Sequence, residues 1–125
     1  QSALLYHFKC NSRSRRFHLA DLAHHLVEFS ADQHGSRFIQ TQLASASAHD
    51  KDCVWAELVP HLRPLMMDVF GNYVVQKFLE HGCPRSHHPH LAALMTGHVL
   101  SLTLHTYGCR VVQRALDHLA PSLLH

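Results

Sequence analysis

Three short segments of this chain share one pattern at nearly constant spacing: His34-Gly35-Ser36-Arg37-Phe38-Ile39-Gln40, Phe70-Gly71-Asn72-Tyr73-Val74-Val75-Gln76 and Tyr107-Gly108-Cys109-Arg110-Val111-Val112-Gln113. The glycines stand at 35, 71 and 108 and the glutamines at 40, 76 and 113, so both sets step by 36 and then 37 residues. A period of this length marks a stacked array of small units, each burying its apolar side only against its neighbours.

If each segment opens a helix, the residue after the glycine and the glutamine lie four apart and share a face. The pairs are Ser36 with Gln40, Asn72 with Gln76 and Cys109 with Gln113, and beside them stand Arg37, Tyr73 and Arg110. Phe38 and Ile39, Val74 and Val75, and Val111 and Val112 turn the other way, followed by Leu43, Leu79 and Leu116. One face is apolar and the other chemically selective. A glutamine amide offers donors and an acceptor, a short polar neighbour adds a second contact, and an Arg plane or Tyr ring can stack on a flat ligand. That combination suits one unpaired nucleobase per unit.

These segments resemble the Pumilio family of RNA-binding repeats. The resemblance runs through 25–40, 68–78 and 97–113 and covers most of residues 17 to 119. It implies an all-α fold, an α-solenoid of about three Pumilio repeats behind a partial N-terminal cap. The expected division is 1–17 for the cap, 18–52, 53–90 and 91–125 for the repeats and tail. Each repeat would read one base on the concave face. Carried over position by position, Ser36/Gln40 and Cys109/Gln113 resemble adenine-reading pairs and Asn72/Gln76 a uracil-reading pair. Arg37, Tyr73 and Arg110 would stack between bases, and antiparallel binding gives 5′-AUA-3′. The resemblance further implies a cytoplasmic regulator that binds messenger-RNA 3′ untranslated regions and lowers translation or stability with protein co-repressors. No cofactor and no metal are implied.

The remaining sequence adds boundaries to this reading. A formal net charge of +2 over 125 residues neither demands nor excludes a polyanion partner. Cys10, Cys53, Cys83 and Cys109 show no CxxC spacing, which fits a reducing compartment. There is no run of 18 apolar residues and no leader pattern, and the opening Gln1 fits a piece of a longer protein. Arg13, Arg15 and Arg16 form a basic patch in the lead-in, read as a solvated segment ahead of the first helix, with a phosphate-contacting or capping segment as the alternative. Cys83, His87, His88 and His90 match no common zinc spacing and read as a polar loop.

Leu19, Leu22, Ala23, Leu26, Val27 and Phe29 predict one helix over 18–31, followed by a turn at 32–34, a second helix to about Ala46, and a loop over 44–52. Leu91 to Leu104 predict the first helix of the third unit. Pro60 and Pro64 fall inside the corresponding helix of the second unit, which should therefore kink or split before Leu65. His25, His61 and His98 recur ten residues before each glycine and suggest a repeated capping or packing role. Either Leu119, Leu123 and Leu124 fold over the end of the array, or the chain is an incomplete piece of a longer one.

No nucleophile, base and orienting acid occur as a set, so an enzyme is not expected. Three stacked bases at ~1–3 kcal/mol each, set against association costs, predict affinity near micromolar or weaker. The competing reading is a truncated helical-repeat module that holds a protein partner without useful RNA affinity. Displacement of Asn72 and Gln76 from the surface carrying Ser36 and Cys109 would favour it.

Overall fold

The computed structural model describes residues 2–11, 17–82 and 88–118. The basic patch, Cys83 and His87, and the terminal leucines lie outside the described residues. Every described element is helical: α1 (Ala3–Asn11), a 3-10 turn (Leu19–Leu22), α2 (Leu26–Ser30), α3 (Gln33–Ser45), α4 (Ala48–Leu58), a 3-10 turn (Val59–His61) and α5 (Leu62–Met66). Then come α6 (Gly71–Lys77), a π-helical turn (Phe78–Gly82), α7 (His88–Met95), α8 (Val99–Leu104) and α9 (Gly108–His118). Helices α3, α6 and α9 pack side by side in chain order, each against the short helix that precedes it. The result is an α-solenoid whose repeated second helices form one row.

The core runs unbroken through the array. Ile39, Leu43, Val74, Val75, Leu79 and Val111 are buried, as the pattern predicts. Leu116 is the exception at 59% exposed, together with Leu100 and Leu104 on α8. Trp55 stacks on Phe78 at 5.5 Å between ring centroids and meets His90 edge-on, tying the two limbs of the second unit to α7. At the other end α1 packs Leu5 and Phe8 into the first unit, with Phe8 within 5.4 Å of the rings of Phe17, Phe29 and Phe38.

The first limb of each unit is not the continuous helix that its apolar spacing predicts. Leu19, Leu22, Leu26 and Phe29 are buried as one stripe, yet the backbone breaks between the 3-10 turn and α2, where His24 has φ 69°. Glu57 of α4 holds that break, its two carboxylate oxygens accepting from the His24 and Leu26 N–H groups at 2.7 Å each. The second unit splits at the 3-10 turn carrying Pro60, the break expected from the prolines. The third splits as well, between α7 and α8, at Gly97 (φ +86°).

The break is therefore a feature of every unit, and the prolines fit a bend that the other two make without them. His25, His61 and His98 each cap the short helix after it, with φ between −120° and −125° and ψ between 3° and 12°, and none makes a side-chain capping bond. The predicted loop over 44–52 is also shorter: Ser47 accepts from the Asp50 N–H and starts α4 at Ala48.

Glycine serves close packing here rather than a turn. Gly35 lies inside α3, and Gly71 and Gly108 open α6 and α9. A Cβ on these residues would stand 2.4, 2.9 and 2.7 Å from the carbonyl oxygens of Phe29, Leu65 and Leu102, respectively. Each second helix thus starts in backbone contact with the end of the short helix six residues earlier.

Candidate nucleic-acid interface

Each reading segment begins on a fixed helix start. Asp32 Oδ2 accepts from the His34 and Gly35 N–H groups at 3.0 and 2.9 Å, and Asp68 Oδ2 accepts from Phe70 and Gly71 at 2.9 and 2.8 Å. In the third unit a histidine takes the same place: His105 Nδ1 accepts from Tyr107 and Gly108 at 3.1 and 3.2 Å. A ring nitrogen can do this only in the tautomer that leaves it unprotonated. These caps meet the orphan N–H groups of the first turn, and the next residue along is Ser36, Asn72 or Cys109.

The polar pairs then form as the four-residue spacing requires. Gln40 Nε2 donates to Ser36 Oγ at 3.0 Å, and Gln76 Nε2 donates to Asn72 Oδ1 at 2.9 Å. Ser36 and Asn72 are themselves buried. Ser36 Oγ donates across the repeat boundary to the Phe70 carbonyl at 2.9 Å, and Asn72 Nδ2 donates to the carbonyls of Asp68 and Val69 at 2.8 and 3.0 Å. The short residue of each pair therefore anchors its glutamine, and the glutamine keeps its free N–H and its Oε1 for the surface. Cys109 differs: it is exposed, and its thiol donates to the Thr106 carbonyl at 3.2 Å.

The nine residues picked out by the repeat pattern belong to α3, α6 and α9; with the first limb of the second unit split, Gln76 still shares a groove with Cys109 and Gln113, and Asn72 is buried beneath it. Beyond the nine, Arg114 and Asp117 join Gln76, Cys109, Arg110 and Gln113 around an open groove of about 530 Å³. Arg114 is held by Glu80 at 3.2 Å. A four-residue step from Cys109 and Gln113 reaches Asp117, so the sequence carried that signal. Tyr107 contributes a ring beside Arg110; its aromatic character shows in the pattern, but its direction depends on the His105 cap. Among the described residues no group of three or more His, Cys, Asp or Glu is placed to hold a metal.

An all-helical stack presenting one polar pair and one planar side chain per unit, the pair anchored in the first two, defines a helical-repeat recognition protein. Residues 25–59, 61–87 and 98–123 match the Pumilio-family RNA binding repeat. The chain is 47% identical over 121 residues to Pumilio homolog 1 of Xenopus laevis, covering 97% of this chain and 10% of that protein. It is 47% identical over 102 residues to the mRNA-binding protein puf3 of Schizosaccharomyces pombe, covering 81% of this chain and 14% of that one. Among solved structures, the Puf3 RNA binding domain bound to a Cox17 RNA 3′ UTR recognition sequence (site B) superposes with a TM-score of 0.86 at 42% identity, covering 94% of this chain and 32% of that one. The chain belongs to the Pumilio family, whose members are RNA-binding repeat proteins and not enzymes. It spans about a tenth of the Xenopus relative and about a third of the solved domain.

Proposed function

We propose that this chain binds single-stranded RNA in a sequence-specific way, one base to each of α3, α6 and α9, as part of a protein that regulates messenger RNA post-transcriptionally through its 3′ untranslated region. The observation that carries the reading is that Gln40, Gln76 and Gln113, and Arg37, Tyr73 and Arg110, occupy equivalent positions on three helices that pack side by side in chain order. A glutamine amide meets the acceptor and donor of an adenine or a uracil edge equally well, so discrimination falls to its partner. Ser36 and Cys109 are small and leave room for adenine, whereas the Asn72 amide sets Gln76 for uracil. The site read is 5′-AUA-3′, with α9 on the first A. Regulation takes place in the cytoplasm, with protein co-repressors recruited elsewhere on the whole protein.

Exposed Val99, Leu100, Leu104 and Leu116 favour a second reading, in which this end of the array contacts a protein partner. One experiment separates the two. RNAs carrying AUA and AGA are titrated against the parent chain and against Asn72→Ser with Gln76→Glu. Preference for AUA in the parent that moves to AGA in the double variant is expected. Equal, salt-sensitive binding to both RNAs, or none, removes base reading and leaves protein contact.

A further inference from the structure

The slot between the second and third stacking side chains is filled by the protein itself. Arg110 Nη1 donates to Tyr73 Oη at 2.7 Å across the repeat boundary, and its Cζ stands 5.8 Å from the Tyr73 ring centroid. A base held between two planar groups needs roughly 3.5 Å on each side, about 7 Å in all. While the 2.7 Å bond between Arg110 and Tyr73 is made, the two groups touch and leave no room for one. On its other side Arg110 Cζ lies 5.7 Å from the ring of Tyr107. Tyr107 is not part of the base-reading set; it sits on the turn before α9, where its N–H donates to His105 Nδ1 and its ring lies 5.8 Å from the His105 ring. Arg110 thus stands between two aromatic rings, bonded to one and within cation–π reach of both.

The geometry points to Arg110 as a latch on this slot: in the RNA-free chain it is closed onto Tyr73, and entry of a base moves it onto Tyr107. This rests on the reading of α3, α6 and α9 as an RNA face. Breaking the Tyr73 bond is the cost of opening, and the Tyr107 ring offsets part of it by keeping a cation–π partner in the open position. Tyr107 is a positioning residue, and its effect falls on affinity and association rate rather than on which base is chosen.

The two tyrosines therefore have opposite signatures. Tyr73→Phe keeps the stacking ring and removes the hydroxyl that closes the latch, so AUA RNA should bind about three- to tenfold faster and tighter, the ordinary net worth of one hydrogen bond. Tyr107→Leu removes the open perch, so binding should weaken about threefold. In Tyr107→Leu the preference for AUA over AGA should match the parent's. Stopped-flow association with both RNAs reads all three quantities, and urea midpoints control for folding. In the RNA-free parent, nitrogen-detected NMR should show hindered rotation of the Arg110 guanidinium, lost in Tyr73→Phe. A parent that prefers AUA while Tyr73→Phe binds no faster overturns the latch and leaves base reading standing. A freely rotating Arg110 in the RNA-free parent overturns it too. A parent without base preference overturns base reading and the latch with it.

Discussion

Gly35→Ala is a sharp test of the packing argument, because helix propensity alone predicts the wrong sign for it. Gly35 lies inside α3 with an ordinary helical φ, so alanine should gain about 0.8–1 kcal/mol from propensity. The added Cβ, however, would stand 2.4 Å from the Phe29 oxygen, 2.9 Å from its Cα and 3.0 Å from its carbonyl carbon. All three are backbone atoms, so no rotamer change relieves the clash and α3 must move away from the end of α2. Overpacking of this kind costs typically ~1–3 kcal/mol, and a contact this short belongs at the upper end. The net expectation is a loss of about 2 kcal/mol, since ~3 kcal/mol of strain exceeds the ~1 kcal/mol of propensity. For a chain of this size that lowers the melting temperature by roughly 6–10 °C. Urea and thermal unfolding followed by helical circular dichroism measure it. A variant as stable as the parent, or more so, refutes the view that the glycines are there for close approach.

Two further changes probe the contacts that hold the units in register. Glu57→Gln replaces one of the two oxygens that cap His24 and Leu26 with a donor, and should cost about 1–2 kcal/mol, read from the urea midpoint; an unchanged midpoint means that the break before α2 does not depend on this clamp. Burial works to raise the Asp32 carboxyl, but the Lys9 ammonium at 2.6 Å and the Gly35 and His34 N–H groups outweigh it and hold the group below its ordinary value of 3.8. A depressed folded value means stability that is present above the unfolded value and lost as pH falls through the folded one. The stability deficit of Asp32→Asn, which keeps a competent cap, should therefore be largest near neutral pH and shrink as pH drops below about 4, the unfolded carboxylate range; a deficit independent of pH contradicts this.

What could be read in the sequence was whatever repeats. The period and the four-residue pairing of Ser36 with Gln40 and of Asn72 with Gln76 follow from spacing on a helix, which a single chain displays directly, and the stripe of Leu22, Leu26 and Phe29 is buried as its spacing predicts although a break divides it. What the sequence hid was set by partners far along the chain. Nothing near His24 announces a break, because the group that stabilises it, Glu57, lies 33 residues away. The prolines made the second unit look exceptional, and only the structure shows all three first limbs breaking immediately ahead of the short helix, at or next to its capping histidine. Ser36 likewise read as a free edge residue, whereas its hydroxyl is committed to the Phe70 carbonyl of the next unit.

The same logic grades the three units. In the first two, a carboxylate cap at 2.8–3.0 Å fixes the helix start, and a buried residue holds the glutamine. In the third the cap is a single ring nitrogen at 3.1 and 3.2 Å, without the negative charge that favours a helix N-terminus. Cys109 and Gln113 are exposed there, and among the described residues no bond joins them. Among the described residues the polar pair is thus fixed by the fewest bonds on α9. The Arg110 bond to Tyr73 spans from this least fixed unit back to α6, so it also holds the start of α9 against its neighbour. On the RNA-binding reading proposed above, a base entering that slot would take over both tasks: it would fill the space between the two planar groups and give Gln113 the partner that Gln40 and Gln76 already have in Ser36 and Asn72.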